Sequence, residues 1–121
     1  MAAAERLTAL EMEMDAREEV LCSASAYTKK YYLNPDYAGL PARVKDELQA
    51  ACVIFTEKIG GIIALFFDAE GNLRIMTNAE EDDLMYDEIG SGLMVHQLQV
   101  EKRELFEQME EYYRAFRSIP D

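Results

Sequence analysis

The sequence predicts a single α+β domain spanning residues 1–121. A small antiparallel sheet, centred on a hairpin over 61–78, is packed by a helix over 41–59 and by a long C-terminal helix, with a further helix at the N-terminus. Three observations carry this prediction. Leu40, Val44, Leu48, Ala51, Cys52, Phe55 and Ile59 recur at helical spacing on one face and are followed at once by Gly60-Gly61, the residue type a left-handed helix end requires. The run Ile62-Ile63-Ala64-Leu65-Phe66-Phe67 is apolar on both faces and is separated by Asp68-Ala69-Glu70-Gly71-Asn72 from the returning strand Leu73–Thr77, a hairpin with Gly71 free to take positive φ. Val95, Leu98, Lys102, Leu105, Met109, Tyr112, Phe116 and Ile119 follow 3-4-3-4 spacing with only Lys102 polar, a heptad-like seam.

Along the chain, residues 3–21 read as a first helix. Ala3, Leu7, Leu10, Met14 and Leu21 form its stripe, and Arg17 breaks it. Residues 1–13 are separable as an extension, since Met14 is itself a plausible start. Between 20 and 40 the pattern is mixed. Val20-Leu21-Cys22 and Lys29-Lys30-Tyr31-Tyr32-Leu33 each have the makings of a short strand, and Asn34-Pro35-Asp36 is a turn, because proline drives Asn34 from the helical region. Pro41 suits the first turn of the helix that follows. A two-stranded hairpin is marginal alone, so a third strand is expected, from 20–33 or from a second copy of the chain. Residues 82–117 read as mostly helical, with Phe106 and Tyr113 widening the seam. Gly90-Ser91-Gly92 marks either a break or a close approach of another backbone, with a break or kink favoured.

Composition limits the function classes. The formal net charge is -12, and residues 80–121 alone carry twelve acids against four bases. Phosphate backbones call for clustered Lys and Arg, so nucleic acid is not an expected partner, and anionic membrane surfaces are repelled. No apolar run approaches the ~20 residues of a bilayer span, and Met1–Arg6 lacks a secretory pattern. A cytoplasmic protein is expected, with Cys22 and Cys52 as reduced core thiols. The lone histidine, His96, removes every two-histidine metal site.

Each chemically suggestive cluster has a plainer structural reading. Glu80-Glu81-Asp82-Asp83 with Asp87 and Glu88 offers carboxylates to Mg2+ or Ca2+, yet acids at a helix start complement the macrodipole without any ion. Asp68-Ala69-Glu70-Gly71-Asn72 departs from the calcium-loop pattern in the place of its glycine and in lacking the distal glutamate. Gly90-Ser91-Gly92 is a weak anion-binding signal beside so many acids. His96 has no carboxylate one turn away on its own helix. No catalytic, metal-binding or cofactor-binding residue is assigned, and no cofactor is expected. The basic and aromatic cluster supplies the ligand-binding candidates Tyr27, Tyr31 and Tyr32. Val95, Leu98, Leu105, Met109, Tyr112 and Phe116 are the interface candidates, serving either the chain's own core or a contact between copies.

Several segments together resemble a family of small uncharacterised acidic proteins from anaerobic Gram-positive bacteria. They are Lys30-Tyr31-Tyr32-Leu33-Asn34, Leu40-Pro41 through Lys45-Asp46-Glu47-Leu48-Gln49, Gly60-Gly61-Ile62, Phe67 through Leu73, Asp87-Glu88-Ile89-Gly90-Ser91, and Gln97-Leu98-Gln99 with Glu101-Lys102. The likeness covers residues 18 to 115 and implies no activity, so no residue role follows from it. The expected function is a non-enzymatic homodimeric interaction module facing basic or mixed-charge protein partners. The homodimer follows from a sheet that looks too small for its helices. The alternative is a small-ligand sensor or carrier with its pocket at the tyrosine cluster and the sheet.

Overall fold

The sheet has four strands, all supplied by one chain and all antiparallel, in the order β2-β1-β3-β4. The computed structural model describes residues 18–118. The strands are β1 (Glu19–Ser25), β2 (Lys30–Leu33), β3 (Ile62–Phe67) and β4 (Leu73–Asn78). Both candidate segments between 20 and 33 thus enter the sheet, and β1 lies at its centre. A register shift between Val20 and Cys22 makes Leu21 an extra residue opposite β3, and both Leu21 and Cys22 are fully buried. Of the N-terminal helix expected over 3–21, residues 1–17 lie outside the described part. The remainder is corrected: Glu19, Val20 and Leu21 are strand, held by pairing to Phe67 and Phe66 rather than by helical periodicity.

The Asn34-Pro35-Asp36 signal produces a single 3-10 turn, Pro35–Tyr37. Asn34 ties it to β1: its side-chain nitrogen donates to the Val20 carbonyl at 2.8 Å, and its backbone nitrogen to that of Leu21 at 2.9 Å. The turn drops Tyr37 into the core, where its hydroxyl donates to the Glu19 carboxylate. Burial, first of all, pushes that hydroxyl's pKa well up, so it stays a donor.

Helix α1 (Ala42–Lys58) follows Pro41 and buries the face its periodicity predicts, with Val44, Leu48, Ala51, Cys52 and Phe55 in the core. Its end is the predicted one. Gly60 and Gly61 both have positive φ, and the Gly60 backbone nitrogen donates to the Thr56 carbonyl. Gly61 has a second reason to be glycine: a Cβ there would lie 2.5 Å from the Asn78 carbonyl oxygen and 2.6 Å from the Tyr86 ring. The β3–β4 turn is also as expected, with Gly71 at φ +85 and the Asp68 carboxylate accepting from the backbone nitrogens of Glu70 and Asn72.

The C-terminal region differs from expectation. It is two helices, α2 (Glu88–Glu101) and α3 (Arg103–Ser118), parted at Lys102. Helix α2 runs unbroken through Gly90-Ser91-Gly92. Asp87 caps it by accepting from the Gly90 backbone nitrogen at 2.8 Å, and a Cβ on Gly90 would strike the Asp87 carboxylate and sit 3.1 Å from the Ile59 side chain. Gly90 therefore provides clearance, and the break belongs to Lys102, the one polar residue of the seam. Residues 80–86 form turns, so only Asp87 and Glu88 of the acidic run stand at a helix start.

One sheet face, carrying Cys22, Ala24, Ile63, Leu65, Phe67 and Leu73, closes into a single core with α1 and with Leu98, Leu105 and Met109 of the last two helices. Helix α3 also clamps the β3–β4 turn. Tyr113 stacks on Phe67 with ring centres 4.3 Å apart, Glu110 accepts from the Leu73 backbone nitrogen at 2.8 Å, and Arg114 donates to the Asn72 side chain at 3.0 Å.

Candidate functional site

The three candidate tyrosines do three different things. Tyr31 and Tyr32 are adjacent on β2, and strand alternation sends them to opposite faces of the sheet. Tyr32 pairs across to Ser23, on the face away from the Cys22 core. Tyr31 pairs across to Ala24 and lines a cleft between α1 and the β1–β2 corner. Tyr27, in the connecting turn, is a latch. Its hydroxyl donates to the Asp83 carboxylate at 2.6 Å and accepts from the Glu80 backbone nitrogen at 2.9 Å, so it pins the acidic loop over 80–83 to the end of the sheet.

The cleft at Tyr31 encloses about 550 Å³. Ala24, Tyr31, Gln49, Val53 and Thr56 form its walls, with Lys29 and Lys30 at the sheet side and Glu57 on the helix side. Lys29 takes φ +56, the one non-glycine residue of positive φ among those described. Its backbone nitrogen donates to the Ser25 carbonyl at 2.9 Å, and closure of this tight turn holds it there. The Tyr31 hydroxyl is buried without a hydrogen-bond partner among the described residues. Burial first, and then the neighbouring Cys22 thiol, push its pKa far up, so it stays protonated. Behind it Cys22 and Cys52 are free of a disulfide and buried, their sulfur atoms in hydrogen-bond contact at 3.8 Å. The Cys52 thiol is pushed well above its ordinary value by its contact with Cys22 and by burial. A buried thiol held up in this way is poor in reactive thiolate, so Cys52 is a packing group.

The interface candidates also divide. Leu98, Leu105 and Met109 are buried in the chain's own core, and Val95 packs against it. These four pack within the chain's own core. Tyr112 and Phe116 keep partial exposure and stack on each other with ring centres 6.2 Å apart. The most exposed large apolar side chains lie in the loop before α2 and on the face of α2 opposite Leu98. Leu84 is 94% exposed, Met85 89%, Ile89 79% and Leu93 69%. Ile89, Leu93, His96 and Val100 follow one another at 4-3-4 spacing, all of them exposed. A groove of about 400 Å³ between α1 and α2, lined by Ile54, Leu93 and Met94, borders this ledge. Glu80, Glu81, Asp82, Asp83, Asp87 and Glu88 stand in the loop before α2 and at its start.

The sequence held a signal for this ledge. Helix α2 is apolar on both sides, and Ile89 is diametrically opposite Leu98 on a 3.6-residue helix. His96 sits on the ledge, away from the cleft. Among the described residues no group of three or more His, Cys, Asp or Glu side chains is placed to hold a metal ion, and no helix is long and apolar enough to cross a membrane.

Fold and surface together define a small α+β domain with a polar-apolar cleft at Tyr31 and an exposed apolar ledge beside acidic residues. The chain belongs to a family of unknown function, DUF6145, whose model matches residues 18–119. This match spans the segment over which the sequence resembled an uncharacterised family. No curated protein matches the chain, and neither does any solved structure.

Proposed function

We propose that this chain is a non-enzymatic interaction module of the cytoplasm, whose exposed α2 ledge receives a basic amphipathic helix from another protein. The observation that carries this reading is the exposure of Leu84, Met85, Ile89 and Leu93, four large apolar side chains within ten residues of chain. Apolar surface of this kind, rimmed by polar groups, is typical of docking sites. The rim argues for the occupant. Six acids stand before and at the start of α2 on a chain of net charge -12, so a partner carrying Lys and Arg beside its apolar stripe gains both from steering and from burial. The competing occupant is a second copy of the chain, the homodimer expected from the sequence. Four strands from one chain remove the undersized sheet that motivated it, and a symmetric contact would set the acidic rim against itself.

The test is titration of a designed Leu/Lys amphipathic peptide, followed by fluorescence anisotropy. Binding is expected, and it should weaken steeply with salt and fail for a Leu/Glu peptide of the same pattern. The double variant Ile89→Ser/Leu93→Ser should lose binding while keeping stability within about 0.5 kcal/mol, since both side chains are exposed. Equal binding by that variant would dismiss the ledge.

A second reading, a small-ligand sensor or carrier, is favoured by one observation. The cleft at Tyr31 has the volume and the mixed lining of a small-molecule site.

A further inference from the structure

We propose that the cleft between α1 and the β1–β2 corner binds a small amphiphilic anion, a carboxylate or phosphate head on a flat apolar body, with Lys29 and Lys30 as the cationic clamp. This rests on the small-ligand reading of that cleft and names its ligand class. The volume, about 550 Å³, falls within the range of small-molecule sites. Ala24, Val53 and the Tyr31 ring supply the apolar part of its lining. Tyr31 is half-buried, so part of its uncharged ring remains open as a stacking surface.

The mouth is cationic on a strongly anionic chain. Lys29 and Lys30 are the only basic residues between 18 and 42. Neither forms an ion pair among the described residues, and both border the cleft. Glu57 is the single acid in the lining, so the clamp keeps a positive excess there. The backbone is shaped around the same place. The chain holds Lys29 at φ +56, a conformation that asparagine or glycine would adopt more readily. Backbone strain held at one residue of a cleft is a recurrent mark of a functional position. Lysine is a compact point charge rather than a planar fork, which suits a carboxylate and a phosphate alike. The shared chemistry is an anionic head, and the head is what the test varies.

The experiment is amide-resolved NMR titration of the full chain with phenylacetate, phenyl phosphate and neutral phenylacetamide, each to about 10 mM, a range that captures millimolar binders. Both anions, or one of them, should shift the amides of Ala24, Lys30, Tyr31 and Val53, and phenylacetamide should bind roughly tenfold more weakly. The double variant Lys29→Asn/Lys30→Gln, in which asparagine tolerates the left-handed backbone, should keep the fold and erase the preference for anions. Val53→Phe should fill the cleft and abolish binding of all three. A stronger response to phenyl phosphate would name phosphate as the head, and a stronger response to phenylacetate would name carboxylate. If phenylacetamide binds in the cleft as well as the anions do, the cleft is a ligand site but the anionic class is wrong. If no compound shifts these amides, or if the shifts gather on Ile89 and Leu93, the ligand reading and this proposal both fall.

Discussion

Asp68 shows how much of a turn one carboxylate can hold. One oxygen accepts from the Glu70 and Asn72 backbone nitrogens, and the other accepts from Arg74 Nε at 2.9 Å. The Arg74 hydrogen bond, first, and then the two backbone donors hold the carboxyl below its ordinary pKa of 3.8. A carboxyl whose folded pKa is lowered stabilises the fold fully above the unfolded value, and that stabilisation is lost as pH falls through the folded value. Asp68→Asn keeps an oxygen for the two amides and loses the ion pair with Arg74. At pH 7 its melting temperature should fall below that of the parent chain by only about a few degrees, since the Arg74 partner is 60% exposed. The gap should close once the pH drops below the ordinary carboxylate range. Thermal melts at pH 7 and near pH 2, roughly two units below an ordinary aspartate, check this; a gap that widened on acidification would contradict the assignment.

At the scale of elements, the Tyr27 latch decides whether the acidic loop is part of the body or a loose strap. Its hydroxyl is the shared partner of Asp83 and of the Glu80 amide. Tyr27→Phe leaves the ring in place and removes both bonds, which should destabilise the fold by about 1–3 kcal/mol. Hydrogen exchange at the Glu80 amide should speed up while the β3 amides stay protected, and unchanged exchange at Glu80 would show that the loop is held by other means. The same elements show what was legible in the sequence. Helix α1, its Gly60-Gly61 end and the Asp68–Asn72 turn were readable because each is fixed by neighbours in sequence. The splitting of Tyr31 from Tyr32 follows from strand alternation once β2 is known to be a strand, but four residues give too short a period to establish that beforehand. The latch was not legible, since Tyr27 and Asp83 meet only when β1 and β4 lie two places apart in the same sheet. Gly90-Ser91-Gly92 suggested a break because glycine lowers helix propensity. The clearance Gly90 gives to Ile59 and Asp87 is a tertiary reason, and the true break was marked by Lys102, the polar interruption of the seam.

For the whole molecule, the question is whether the exposed ledge meets its own copy or something else, and electrostatics separates the two. Two chains of net charge -12 each repel over a distance set by ionic strength, about 30 Å at 10 mM salt and about 10 Å at 100 mM. A symmetric dimer through Ile89 and Leu93 would place two acidic rims within that range, so its formation must strengthen as salt rises. A contact with a basic partner has the opposite dependence, because salt screens an attraction. The free chain is therefore expected to sediment as a monomer at about 10 mM salt. Any dimer that appears at high salt should vanish in the Ile89→Ser/Leu93→Ser variant. Analytical ultracentrifugation across that salt range, on the parent chain and the variant, reads both. A dimer already complete at low salt and indifferent to the two serines would restore the homodimer, and would place its contact away from the acidic ledge, where Tyr112 and Phe116 are the partly exposed aromatic pair.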